Sequence, residues 1–117
     1  MHLTRLILGM FLIVALLAGC ITRDDDDDEV SGDGEQTSAI EAAMAVYEDA
    51  VDSGVDLSKG PCIAEELEEV PGWSVDIAHD PRQEVDNDPA NQCQAYRDGQ
   101  TSHFVELNPE GELIRAQ

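Results

Sequence analysis

The chain has 117 residues, 26 acidic against 6 basic, a formal net charge of −20 and a pI of about 4.1. That length holds one small domain, and that charge repels nucleic-acid phosphates and anionic headgroups, so neither is expected as a direct partner. The acids are spread along the chain, from Asp49 and Asp52 through Glu65, Glu66, Glu68 and Glu69 to Asp86, Asp88, Glu110 and Glu112. Such dispersion favours general adaptation to strong salt, which screens repulsion among carboxylates, over one concentrated cation-binding patch.

His2 and Arg5 open the chain with a short basic region, and Leu6 to Ala18 is apolar apart from Gly9. A helix over that run would be roughly 20 Å long, short of the roughly 30 Å of a bilayer core. It has the length of a signal-peptide core, which ends at small residues. Leu17-Ala18-Gly19-Cys20 follows, an aliphatic residue, two small residues and a cysteine. This string resembles the lipobox of prokaryotic lipoproteins. The resemblance implies cleavage before Cys20, lipidation of its thiol (a palmitate-type modification), and a mature chain anchored to the cell membrane by lipid, facing outside the cytoplasm. Residues 1–19 would be signal peptide. A diacylglyceryl group supplies the two chains that stable anchoring requires. The alternative is an uncleaved anchor helix reaching from Leu3 to Ile21.

Asp24 to Asp28, then Glu29, Ser31, Gly32, Asp33, Gly34 and Glu35, lack an apolar cluster. Residues 20–36 therefore read as a lipidated cysteine and an extended acidic spacer, and 37–117 as a small extracytoplasmic domain.

The domain opens with a predicted helix. Ser38 and Glu41 have capping-box spacing, and Ile40, Ala43, Met44, Tyr47 and Val51 follow helical periodicity toward a stop at Gly54. Ser58 to Pro61 is a turn, and Ile63 to Val70 is expected as a short acidic helix. Trp73, Val75 and Ile77 alternate with polar or small residues as in a half-buried strand. The polar stretch from Arg82 to Gln92 reads as a long loop. Cys93 to Arg97, Ser102 to Leu107 and Glu112 to Arg115 read as strands. Asp98-Gly99 and Asn108 to Gly111 supply the turns between them. The expected class is α+β: one amphipathic helix followed by a small antiparallel β-meander.

With Cys20 used by lipid, Cys62 and Cys93 form an even pair in an oxidising location, which points to a disulfide. Closing that loop is worth roughly 3.7 kcal/mol by chain entropy, a large part of a small domain's stability. The rival is a Cys2His2 metal site with His79 and His103, but the spacings hold no close ligand pair. No metal or cofactor is expected.

The most distinctive later string is Trp73 to Arg82. Asp76, His79, Asp80 and Arg82 bring acid, imidazole and guanidinium to a strand end, where function commonly resides. They form a candidate ligand cluster, set against a purely structural knot in which a carboxylate satisfies His79 and Arg82 pairs with Asp76 or Asp86. No nucleophile motif accompanies them, and no catalytic residue is assigned. Asp86-Asn87-Asp88 resembles the start of a calcium loop, but Ala90 and Asn91 stand where an oxygen ligand and glycine belong.

These observations favour a membrane-anchored surface lipoprotein acting as a non-enzymatic binding or envelope module. The alternatives are a pilin-like or pseudopilin-like subunit, which would keep its apolar helix, and a small secreted hydrolase using His79.

Overall fold

The computed structural model describes residues 32–117. The signal segment, Cys20 and the spacer through residue 31 lie outside the described residues. Among the described residues no helix is long and apolar enough to cross a membrane.

Helix α1 runs from Gly32 to Asp52, and strands β1 (Cys62–Ala64), β2 (Trp73–Ile77), β3 (His103–Leu107) and β4 (Leu113–Ala116) form one sheet in the order β1-β2-β3-β4. The fold is α+β, with one main helix, a mostly antiparallel four-stranded sheet and a Cys62–Cys93 disulfide whose Cα atoms are 4.9 Å apart. The two outer strand pairs are antiparallel, while β2 and β3 run parallel, from Trp73 opposite His103 to Ile77 opposite Leu107.

The strand period puts Trp73, Val75, Ile77, Val105 and Leu107 on one sheet face, where they are buried against α1. Burying each of the larger aliphatic side chains is worth about 1.5–3 kcal/mol. The helix meets them with alanines: Ala39, Ala42, Ala43 and Ala50 are its buried positions. Ile40, Met44 and Tyr47 pack at the margin, and Val51 is 48% exposed. The buried stripe is therefore rotated from the one that the larger side chains predict. Apolar residues occupy nearly every position from Ala39 to Tyr47, so periodicity alone sets the face loosely; the sheet selects the alanines because they allow the closest approach.

The helix also begins well before the Ser38 cap. Ser38 Oγ donates to the carbonyl of Gly34 from inside the helix, and Thr37 Oγ1 does the same to Asp33. The extra turn is docked on the sheet: Trp73 Nε1 donates to Glu35 at 2.8 Å and Gln36 Nε2 to the carbonyl of Ala116 at 2.6 Å. Asp33 and Glu35 in the first turn also complement the helix dipole. At the far end of the sheet, Tyr47 Oη donates to the Pro109 carbonyl at 2.9 Å, and its ring lies against Gly111.

Two other local expectations are corrected. Residues 63–70 do not form a helix; Ile63 and Ala64 belong to β1, and Leu67 turns inward, its N–H donating to Trp73 at 2.8 Å. Cys93 to Arg97 is not a strand, because Gln94–Arg97 form a short helix, α2. The reason is topological. Parallel neighbours cannot be joined by a hairpin, so residues 78–102 must cross from one end of the sheet to the other. Asp98-Gly99 consequently ends α2, with Gly99 left-handed at φ 75°, instead of turning a hairpin.

Candidate functional site

The even positions of the same strands, Ser74 and Asp76 of β2 with Phe104 and Glu106 of β3, look away from α1. The crossover spans this reverse face. It is fastened at both ends.

Near its end, the Cys62–Cys93 bond ties it to edge strand β1, and Glu65 just beyond β1 accepts the Ala95 N–H at 2.8 Å, capping α2. Cys62, Glu65 and Cys93 are the one group of potential metal ligands among the described residues, and the disulfide and the cap account for all three.

Near its start, Asp86 organises the chain. It lies in a 3-10 turn over Glu84–Asn87 and is 1% exposed. Its carboxylate accepts backbone N–H groups from His79 at 3.0 Å and Gln83 at 2.8 Å, and lies 2.9 Å from His79 Nδ1. Burial disfavours its charge, but the N–H donors of Gln83 and His79 together with the imidazole outweigh that and hold its pKa below the ordinary carboxylate value. Gly60, at φ 65°, packs so closely that a Cβ there would collide with this carboxylate. The Asp86 carbonyl accepts from Arg82 Nη2 and Gln92 Nε2.

The residues of the calcium-like string thus serve the loop itself. Asp86 binds His79, Asn87 Oδ1 accepts from Arg82 Nε at 2.8 Å, and Asp88 Oδ1 accepts from the Ala90 N–H. His103 stacks on Trp73 at 4.7 Å between ring centroids, while His79 is held by Asp86 on the crossover. The two histidines do not join the cysteines.

Between the crossover and the sheet is a cavity of about 390 Å³, lined by Asp76, Arg82, Tyr96, Arg97, Glu106 and Arg115 among others. Glu106, only 5% exposed, faces two guanidiniums: Arg82 Nη1 at 3.4 Å and Arg115 Nε at 3.4 Å. Arg115 also lies 5.0 Å above the Phe104 ring, and Tyr96 meets Phe104 edge-on at 4.9 Å. Arg97 Nη1 donates to the Pro89 carbonyl at 3.5 Å, its one side-chain hydrogen bond among the described residues. Asp76 Oδ1 is buried and has no hydrogen-bond partner among the described residues. Desolvation first, then the charge of Glu106, raises its pKa to about 7, with Arg82 opposing.

The predicted cluster is therefore divided. Asp76 and Arg82 line the cavity, His79 belongs to the Asp86 network, and Asp80 is exposed. Arg82 links the two, reaching Asn87 and Asp86 on one side and Glu106 on the other. Sequence reasoning missed Arg97, Glu106 and Arg115. One signal for them was present: the described residues hold four lysines and arginines, and three of the four line this cavity. Another was Glu106 between Val105 and Leu107, an acid in the apolar run from Phe104 to Leu107.

No known family, no characterised protein and no solved structure matches this chain.

Proposed function

We propose that this chain is a lipid-anchored binding module held outside the cytoplasm, with the cavity behind its sheet as the ligand site. The single observation that carries the binding reading is the concentration of three guanidiniums around one cavity of an otherwise strongly acidic protein. Its volume falls in the range of about 300–1,000 Å³ usual for small-molecule sites. The anchor rests on the Leu17-Ala18-Gly19-Cys20 string. An acidic spacer after Cys20 would hold the domain clear of the lipid surface.

His79 fits a structural role better than a catalytic one. Its backbone N–H and ring nitrogen both engage the same buried carboxylate. Among the described residues no hydroxyl or thiol is hydrogen-bonded to the imidazole.

Metabolic labelling with palmitate and mass spectrometry of the membrane-bound protein test the anchor. A lipidated Cys20 as the N-terminal residue is expected, and Cys20→Ala should leave an unprocessed chain. An intact Met1 would overturn the lipoprotein reading in favour of an uncleaved anchor, and cleavage ahead of the apolar run would favour the pilin-like subunit.

A further inference from the structure

We infer that the cavity behind the sheet takes a small organic carboxylate with an apolar body, its charged end on Arg97 and Arg115 and its body against Tyr96 and Phe104. This rests on the binding-module reading and specifies its ligand.

The charge argument comes first. Two cavities of nearly equal size flank the sheet. The one between α1 and residues 63–69, about 380 Å³, is rimmed by Asp49, Glu66, Glu68 and Glu69 and has no basic group in its lining. Those carboxylates suit a cation and oppose an anion. The reverse-face cavity carries three arginines against Asp76 and Glu106. Three of the four lysines and arginines among the described residues line it, against two acids.

Donor capacity points the same way. Glu106 alone is shared by Arg82 and Arg115 at 3.4 Å to each, long for charge-assisted bonds, which ordinarily measure about 2.7–2.9 Å. Arg82 is further committed to Asn87 and the Asp86 carbonyl. Arg97, whose side chain bonds among the described residues to one carbonyl at 3.5 Å, and Arg115, half-exposed, keep guanidinium forks for a planar two-oxygen partner. The Tyr96–Phe104 pair adds an apolar wall, and Tyr96 is 41% exposed although it lines the site. A bare inorganic anion would leave that wall uncovered.

Asp76 reinforces the assignment. The charges of Glu106 of β3 and of Arg82 and Asp86 of the crossover act on its carboxyl, and Arg97 of α2 and Arg115 of β4 line the same cavity. In its acid form the carboxyl can donate a hydrogen bond to an incoming carboxylate oxygen; in its ionised form it repels one.

The test is titration of the full chain, in zwitterionic micelles, with benzoate, inorganic phosphate, benzyl alcohol and benzylamine, followed by calorimetry and NMR. Saturable binding of benzoate that moves the Tyr96, Phe104 and Arg97 resonances is expected. Arg97→Gln and Arg115→Gln should each weaken it about tenfold or more while the melting midpoint confirms that the variants fold. Benzoate should bind more tightly at pH 6 than at pH 8, and Asp76→Asn should flatten that dependence. Phosphate binding as tightly as benzoate, or a pH dependence that survives Asp76→Asn, would overturn the assignment as drawn. Benzyl alcohol or benzylamine binding as well as benzoate would overturn the carboxylate while leaving a binding module. No response to any of the four probes would overturn both readings.

Discussion

The two faces of the sheet come from the same strands, yet they are built in different ways. The face toward α1 is formed by alternate apolar residues of β2 and β3 against a helix of small side chains. The reverse face carries Ser74, Asp76, Phe104 and Glu106, covered by a crossover with few apolar residues of its own. One face is held by non-directional burial, roughly proportional to area. The other is held by individual bonds, among them the disulfide, the contacts of the buried Asp86 carboxylate, the Arg82–Glu106 pair and the cap from Glu65. A face made of a few directional links can leave a charged cavity between its supports, where a close-packed face cannot.

The strongest way to break this comparison is at the disulfide. Reduction, or Cys62→Ser with Cys93→Ser, should cost about 2–5 kcal/mol in denaturant unfolding. If the two faces are held independently, hydrogen exchange under reduction should rise first across residues 78–102 and later in α1. Uniform loss of protection would show that the crossover supports the helix face as well.

Asp76 sharpens the contrast electrostatically, because it is a carboxyl on the polar face whose buried Oδ1 has no hydrogen-bond partner among the described residues. Its folded pKa, about 7, lies above its ordinary value of 3.8. The folded chain therefore binds this proton more tightly than the unfolded one. The associated stability is fully present below the unfolded pKa and is lost as pH rises toward and through 7. Asp76→Asn removes that loss. It should match the wild type below pH 4 and exceed it by about 2 kcal/mol above pH 7, after allowance for partial solvent screening. Equal pH profiles for the two proteins would show that the carboxyl is solvated.

The smallest expected effect is on the other face. Glu35→Ala removes the acceptor of the Trp73 indole and should cost about 1 kcal/mol. It should also shift the tryptophan fluorescence and fray α1 back toward Ser38. An unchanged melting midpoint and emission would mean that the first helical turn is not fastened by this bond.

The reasons that parts of the fold were legible are physical. β2, β3 and β4 follow from a period of two and from the turn residues Asn108 to Gly111, which act locally. The disulfide followed from an even pair of cysteines and the small size of the domain. The helix was identified by its apolar run, but its start was not, because Glu35 and Gln36 are ordered by Trp73 and the Ala116 carbonyl, both remote in sequence. The same limit applied at Cys93 to Arg97. Four or five residues carry little period, and only the parallel pairing of β2 with β3 demands a crossover there.

The candidate site was legible in the same uneven way. Asp76 and Arg82 drew notice as neighbours of His79 near the end of a strand, and the structural alternative already gave His79 a carboxylate without fixing which one. His79 found Asp86, and Arg82 found Glu106 from a strand beyond the crossover. By itself the sequence determined the class of fold, the acidic surface, the cysteine pairing and the apolar parity of the strands, because each depends on composition or on neighbours a few residues apart. Only the tertiary structure decided the parallel central pair, the helix face in contact and the meeting of Arg82, Arg97 and Arg115 over Asp76 and Glu106. Those depend on which distant segments are brought together, and no local pattern encodes that.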